Sequence, residues 1–184
     1  MKVIFLDRDG VINKYPGDKQ YVTSLAGFRF LPQAKKAIAL LHQHKFKLFV
    51  ISNQAGVGKK IFSKSTLDMI TRNMLAKIRA SGGNINGVYY CIHRPEKKCS
   101  CRKPEAGLLL KVRDRHRIDL AGSFFIGDTI RDVDTAKAAK IGSILVLSGK
   151  EKLSNRKNWE TRPDFIFKNL YAAAQFILKY KPNK

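Results

Sequence analysis

The sequence predicts an α/β fold in which a parallel sheet carries helices on both of its faces. Short apolar, β-branched runs alternate along the chain with longer amphipathic stretches, beginning with a run at positions 2–6. Strands that alternate with helices in this way form parallel sheets. Several of the apolar runs also end in polar residues, at the edge where parallel α/β sheets bind their ligands.

Six strands are predicted from the apolar runs. Each run is four to six residues long and bounded by polar or glycine residues, which indicates a buried strand rather than a helix. The predicted strands are Lys2–Leu6, Lys47–Ile51, Gly87–Ile92, Ser123–Ile126, Ser143–Leu147 and Asp164–Phe167.

Five helices are predicted from apolar residues at helical spacing. The second begins with Ser65 and Asp68 in capping-box-like spacing and ends at Gly82-Gly83. The predicted helices are Pro32–His44, Lys64–Ala80, Glu105–Arg115, Asp132–Lys140 and Leu170–Lys179. The segments 13–30, 52–58 and 150–162 are predicted to be loops. Because we find neither repeats nor a domain boundary, we expect residues 1–184 to form a single domain.

The composition indicates a globular chain with a large excess of positive charge. Of its 184 residues, 44% are hydrophobic, 36 are Lys or Arg and 14 are Asp or Glu, which gives a formal net charge of +22. Such a charge is most simply a device for solubility, but it also attracts polyanions such as nucleic acid or anionic lipid and could gather small phosphorylated substrates. The basic residues are spread along the chain rather than grouped in a block, which weakens the case for a nucleic-acid partner.

No apolar run in the sequence approaches the length that spans a bilayer. The apolar run at the N-terminus meets Asp7-Arg8-Asp9 too early to serve as the hydrophobic region of a secretory signal. We therefore expect a cytoplasmic protein that does not cross a membrane.

Three cysteines and one histidine form a compact cluster. Cys91, Cys99 and Cys101 are all the cysteines of the chain, and His93 lies among them. The odd count and the tight clustering favour metal binding over a disulfide. Three thiolates and an imidazole suit four-coordinate zinc with no open position, so we predict a structural zinc loop. The loop leads directly to Arg102, whose guanidinium suits bidentate recognition of phosphate.

Carboxylates follow two of the predicted strands at the point where each strand ends. Asp7 and Asp9 come after the first strand, Asp128 comes after the fourth, and Asp132 lies four residues further on. Carboxylate and carbonyl oxygens suit Mg²⁺. One carboxylate of a pair can attack phosphorus while the other protonates the leaving oxygen. An isolated aspartate after a strand is usually a cap or a turn residue, so the prediction of phosphate-ester hydrolysis depends on the combination.

Further polar residues fit the same chemistry. The hydroxyl of Ser52, at the end of the second strand, can donate to a phosphate, and Lys103 offers a positive charge to the transferring group. Asn53 and Gln54 are candidate contacts to sugar hydroxyls or to a second phosphate.

Four motifs resemble those of the haloacid-dehalogenase (HAD) superfamily. They are Asp7-Arg8-Asp9-Gly10-Val11, Ser52-Asn53-Gln54, Arg102-Lys103-Pro104 and Gly127-Asp128. Within the superfamily, the chain is similar over residues 2–149 to the D-glycero-D-manno-heptose 1,7-bisphosphate phosphatase and histidinol-phosphatase group. The zinc loop agrees with this group. Thr129 is a departure, because the heptose enzymes have a lysine after the Gly-Asp pair.

The resemblance implies a Rossmann-like domain that acts through an aspartyl-phosphate on Asp7, with Asp9 as general acid and base. It implies that Mg²⁺ is bound by the side chains of Asp7 and Asp128 and by the backbone carbonyl of Asp9, and that Ser52 and Lys103 hold the phosphate. From their positions in the sequence, Asp132 and Thr129 are further candidates to support the site. The resemblance also suggests a monomer.

The spacing of the motifs leaves no room for a cap domain over the site. Only a loop, a helix and a strand fit between Asp7 and Ser52, and a helix, a strand and the zinc loop occupy the chain from Ser52 to Lys103. We therefore expect an open site whose specificity depends on the loops 13–30 and 54–61 and on the zinc loop with Arg102. We expect a small phosphorylated sugar as its substrate. Three alternatives stay open: a histidinol-phosphatase, a 3′-phosphatase of polynucleotide ends, and a non-catalytic basic nucleic-acid-binding module.

Overall fold

The computed structural model describes residues 2–180, and its centre is a six-stranded sheet. The strands β1 to β6 are Val3–Leu6, Lys47–Asn53, Gly87–Cys91, Phe124–Gly127, Gly142–Val146 and Phe165–Phe167. The helices α1 to α6 are Ala34–Gln43, Ala55–Gly58, Lys64–Arg79, Gly107–His116, Ile130–Ala138 and Leu170–Lys179. Two short 3-10 segments lie at Pro95–Lys97 and Leu153–Asn158.

All neighbouring strands pair in parallel, in the order β3-β2-β1-β4-β5-β6. This is the strand order of the Rossmann fold, in which ligands bind at the carboxyl edge where the order reverses. Here the reversal lies between β1 and β4. The backbone N–H of Asp7 donates to the carbonyl of Ile126 at 2.9 Å, which holds the end of β1 against the end of β4.

The hydrophobic core lies on both faces of the sheet. Successive strand residues point to opposite faces. Ile4 and Leu6 therefore pack with α1, α3 and α6, whereas Val3 and Phe5 pack with α4 and α5. Burying one large aliphatic side chain stabilises the fold by about 1.5–3 kcal/mol. The predicted Rossmann-like sheet with helices on both faces is confirmed.

Every predicted strand and helix is present, with each end within two residues of its predicted position. The prediction that 52–58 is entirely loop was wrong, because α2 forms one short helical turn there. Helix α5 begins at Ile130 rather than at Asp132. The reason is that Asp132 accepts the backbone N–H of Thr129, which makes Thr129 the N-cap of the helix.

Within residues 2–180, the segments inserted above the carboxyl edge of the sheet are loops and the short helix α2. The chain between β1 and β2 holds one helix, and the chain between β2 and β3 holds α2 and α3, as expected for a protein without a cap domain. None of the helices in this part of the chain has the length and apolar character needed to cross a membrane.

Candidate active site

Three predicted carboxylates converge at the carboxyl edge of the sheet. Asp7 follows β1, Asp128 follows β4, and Asp132 lies in the first turn of α5. One oxygen from each lies within 4.8 Å of the others, and all three side chains are buried. The strand order brings these residues together, because β1 and β4 are neighbours although more than a hundred residues separate them.

Lys103 lies between two of these carboxylates. Its Nζ is 2.9 Å from Oδ2 of Asp7 and 2.5 Å from Oδ1 of Asp132, and its side chain is only 4% exposed. The amide of Asn53 holds the backbone of Lys103 in place. The Nδ2 of Asn53 donates to the lysine carbonyl and its Oδ1 accepts the lysine N–H, each at 3.1 Å.

The charges of the site are only partly neutralised. Burial raises the pKa of Asp7 to about 6; Lys103 opposes this shift, and Asp132 and Asp9 add to it. Burial, with Asp7 and Asp132 nearby, also raises the pKa of Asp128. Burial acts against the charge of Lys103, but the two carboxylates prevail and raise the pKa of its ammonium. One ammonium thus faces three carboxylates, and such an oxygen-rich, anionic site fits a hard divalent cation such as Mg²⁺.

The backbone of two loops closely surrounds the carboxylate of Asp128, a feature that was not predicted from the sequence. The backbone N–H of Lys150 donates to its Oδ2 at 2.8 Å. A Cβ atom at Gly10 would lie 2.1 Å from this oxygen and one at Gly149 would lie 2.0 Å from it, so both positions need glycine. Gly149 follows β5 at the same edge of the sheet, which is the signal that was available in the sequence.

Asp9 faces the same pocket but has different neighbours. Its carboxylate accepts hydrogen bonds from the guanidinium of Arg8, from Nδ2 of Asn13 at 2.8 Å and from Nε2 of Gln54 at 2.9 Å. Arg8 and Asn13 were not predicted as site residues. Their burial was not readable from the sequence, although both lie in or next to the first motif.

The other predicted residues lie around the same crevice. Ser52 is buried at the end of β2, and its Oγ accepts Nε2 of Gln54 at 3.2 Å. The hydroxyl of Thr129 donates to Oδ2 of Asp132 at 2.7 Å. Arg102 is half-buried and lines the crevice. Asn53 also lines the crevice, whereas Gln54 is buried and does not line it. Substrate contacts by Asn53, Gln54 and Arg102 stay predictions.

The crevice has a volume of about 680 Å³, which is enough for a small phosphorylated metabolite. The loop at 15–21 forms one wall, and residues of α2 and the cysteine loop form another. Tyr15, Asp18, Lys59 and Lys150 are lining residues that were not singled out from the sequence. The predicted specificity loops therefore do border the crevice.

The four residues predicted to bind zinc also come together. Cys91, His93, Cys99 and Cys101 each place a ligand atom within 4.8 Å of the others. Their sulfur atoms are 3.3–3.6 Å apart, and Nδ1 of His93 is 3.3 Å from the sulfur of Cys101. Sulfur ligands of one tetrahedral zinc ion lie about 3.7 Å apart, so the cluster fits such an ion.

The cysteine thiols perturb one another. Burial raises the pKa of Cys91. Burial and the neighbouring sulfurs raise that of Cys101 to about 12. At Cys99, burial is outweighed by hydrogen bonds from His93 and the other two thiols, which lower its pKa to about 6. One thiolate is therefore already favoured before the remaining ligands lose their protons to a metal.

The Rossmann-like sheet, the Asp-x-Asp pair after β1 and the carboxylates after β4 define a HAD-like hydrolase. Comparison with known proteins agrees, because a family model described as "HAD-hydrolase-like" matches residues 100–173. Two curated relatives are D-glycero-beta-D-manno-heptose-1,7-bisphosphate 7-phosphatases. The protein of Neisseria meningitidis serogroup A is 32% identical over 181 residues (97% of this chain, 96% of the relative). That of Escherichia coli K12 is 34% identical over 184 residues (96% and 93%).

A solved structure is also similar throughout. The D,D-heptose 1,7-bisphosphate phosphatase of B. bronchiseptica, complexed with magnesium and phosphate, superimposes with a TM-score of 0.91 at 32% identity, over 97% of this chain and 99% of that one. The chain therefore belongs to the heptose bisphosphate phosphatase family of the HAD superfamily. The predicted resemblance and the prediction of a phosphatase are confirmed.

Proposed function

We propose that the chain is a magnesium-dependent phosphatase that removes the 7-phosphate of D-glycero-D-manno-heptose 1,7-bisphosphate. The observation that carries the chemistry is the convergence of Asp7, Asp128 and Lys103 at the switch point of the sheet. The heptose substrate is supported by the names of the relatives, which match nearly the whole chain.

In the proposed reaction, the carboxylate of Asp7 attacks phosphorus and displaces the sugar oxygen, which takes a proton from the carboxyl group of Asp9. This leaves an aspartyl-phosphate on Asp7. Asp9 then removes a proton from the water that attacks this phosphate, so both carboxyl groups return to their starting forms. Lys103 and the hydroxyl of Ser52 bind the phosphoryl oxygens.

The residues that would hold Mg²⁺ are the side chains of Asp7 and Asp128 and the backbone carbonyl of Asp9, with Asp132 as support. When bound, Mg²⁺ neutralises the phosphate so that an anionic nucleophile can approach it. Buried oxygen donors with an excess of negative charge support this assignment.

We also propose a structural zinc ion in the cluster of three cysteines and His93. The cluster ends at Cys101, two residues before Lys103. Zinc would therefore hold the segment that carries the phosphate-binding lysine. The resemblance to the family further supports a single-domain, monomeric protein of the cytoplasm.

The test measures phosphate release, with Mg²⁺, from heptose 1,7-bisphosphate, histidinol phosphate and a 3′-phosphorylated oligonucleotide. We expect the heptose to have the highest kcat/KM and Asp7→Asn to abolish turnover. A preference for histidinol phosphate would keep the chemistry and overturn the substrate. Oligonucleotide turnover or binding that falls steeply with salt would instead favour a nucleic-acid partner, to which the charge of +22 points.

A further inference from the structure

Asp9 is held by a set of donors that do not themselves reach the crevice. Arg8 contacts both carboxylate oxygens, since its Nη2 is 3.0 Å from each and its Nε is 3.3 Å from Oδ1. Nδ2 of Asn13 donates to Oδ1, and Nε2 of Gln54 donates to Oδ2. Both oxygens are thus fixed, and rotation of the carboxyl group would break several hydrogen bonds at once.

Arg8 is an unusual residue to find in this place. Its side chain is 0% exposed, and it does not line the crevice, whereas Asp9 is 19% exposed and does. A fully buried arginine is rare unless it is paired. Arg8 therefore cannot bind a substrate phosphate, although its neighbour faces the crevice.

Arg8 in turn packs against Tyr90 of β3, which contacts α3. Its guanidinium carbon lies 5.8 Å from the centre of the Tyr90 ring, and the Tyr90 hydroxyl is 2.9 Å from Oγ1 of Thr71 in α3. A guanidinium and an aromatic ring at this distance attract each other, which favours the observed placement of Arg8. A chain of contacts thus runs from α3 through β3 to the carboxylate of Asp9.

We propose that Arg8, assisted by Gln54, is a positioning residue that aims the carboxyl group of Asp9 at the leaving oxygen of the substrate. This inference rests on the proposed function, in which Asp9 is the general acid. General acids contribute about 10²–10⁴-fold to rates, and only when they lie within hydrogen-bond reach of the oxygen that they protonate. Arg8 acts through Asp9 and touches no reacting atom.

The test compares two substrates that differ in their need for an acid. Release of p-nitrophenolate from p-nitrophenyl phosphate needs no protonation, whereas release of a sugar alkoxide does. The ratio kcat/KM covers the steps up to the release of the alcohol, so it does not include the later attack of water. We expect Arg8→Lys to lower kcat/KM for the sugar phosphate by about 100-fold. The value for p-nitrophenyl phosphate should stay within about threefold of that of the native protein, because the acid is not used.

Gln54→Met provides a second variant in case a buried lysine at position 8 prevents folding. It removes one donor to Asp9 while keeping the length of the side chain. We expect Gln54→Met, too, to slow hydrolysis of the sugar phosphate but not of p-nitrophenyl phosphate. The loss should be smaller than in Arg8→Lys and should appear in kcat. A rise in KM alone would mean that Gln54 contacts the sugar and would overturn its positioning role.

Arg113→Lys is the matched control. Arg113 also pairs with the next residue in the sequence, Asp114, but both side chains are exposed and neither lines the crevice. Arg113→Lys should leave kcat/KM unchanged for both substrates. Equal losses for both substrates in Arg8→Lys would show a general structural effect and would overturn the inference.

Asp9→Asn separates this inference from the proposed function. If Asp9→Asn impairs the sugar phosphate selectively and Arg8→Lys and Gln54→Met do not, only the positioning inference fails. If Asp9→Asn itself shows no selectivity, Asp9 is not the general acid and the proposed mechanism fails.

Discussion

The carboxylate site and the cysteine cluster are assembled in opposite ways. Asp7, Lys103 and Asp128 come from three distant parts of the chain and meet only because β1, β4 and the cysteine loop adjoin in the fold. The four residues of the cysteine cluster all lie within positions 91–101. The first site is held together by the fold, whereas the second, once it binds zinc, would hold a segment of the fold together.

The two sites also differ in how their charges affect the stability of the protein. Like charges are concentrated in the carboxylate site, and burial raises the pKa of Asp7 and of Asp128. Such a site reduces the stability of the metal-free protein, as is usual where function requires strained or unfavourable groups. The cysteine cluster, in contrast, would add stability by binding the proposed zinc ion.

The sharpest way to test this contrast is Asp7→Asn. We expect phosphate release to fall by at least about 10⁴-fold, as when other enzymes lose their nucleophile. Stability without magnesium should rise at neutral pH, because a buried charge beside Asp132 and Asp9 is removed. Urea unfolding in magnesium-free buffer checks this, and a loss of stability would mean that the ion pair with Lys103 outweighs the repulsion.

Lys103→Met removes the ammonium that neutralises this site. Since Lys103 pairs with both Asp7 and Asp132 and is only 4% exposed, we expect a loss of about 3–5 kcal/mol in the free energy of unfolding. Lys137→Met is the control, because Lys137 pairs with Asp164 at the surface and should cost under about 1 kcal/mol. Similar losses in the two variants would remove the distinction between buried and exposed pairs.

The raised pKa of Asp7 also predicts how the free energy of unfolding depends on pH. The pKa of Asp7 is raised from 3.8 to about 6 in the folded protein, so its protonated form is favoured by folding. Stability from this group is full below pH 4 and is lost as the pH rises through 6, a change of about 3 kcal/mol. The advantage of Asp7→Asn over the native protein should therefore grow between pH 4 and 6 and then level off. If urea unfolding shows a stability difference between the two proteins that is the same at every pH, the pKa of Asp7 is not raised by folding.

Cys99→Ser tests the other half of the comparison. We expect zinc affinity to fall by about 100-fold, because one thiolate ligand is lost. The KM for the sugar phosphate should rise, because the segment carrying Arg102 and Lys103 loosens, whereas the fold of the sheet is retained. Zinc content, far-UV circular dichroism and kinetics together check this. A variant that unfolds entirely would show that the cluster supports far more than its own loop.

The smallest effect is expected for Thr129→Ala at the start of α5. Loss of the N-cap hydroxyl, which donates to Asp132 at 2.7 Å, should cost about 1 kcal/mol. Ser63→Ala, at the cap of α3, should cost a similar amount without changing activity. If Thr129→Ala also leaves kcat unchanged, the orientation of Asp132 does not matter for turnover.

The sequence by itself determined the features that depend on local chemistry. The apolar runs and helical spacing predicted every major strand and helix, because burial of one face is a property of a short segment. The cysteine cluster was predictable for the same reason, since its ligands lie within one loop. The order of polar residues after the strands was enough to indicate the carboxylates of a phosphatase.

Only the tertiary structure decided how these parts meet. Nothing in the local sequence indicates that Lys103 inserts between Asp7 and Asp132. Nor does it indicate that Arg8 is buried while Asp9 faces the crevice. The same holds for the enclosure of Asp128 by Gly149 and Lys150. Each of these contacts joins segments far apart in the chain or depends on which way a loop side chain turns. They follow from the packing of β1 against β4 and of the loops above that edge, which is decided by the hydrophobic core as a whole.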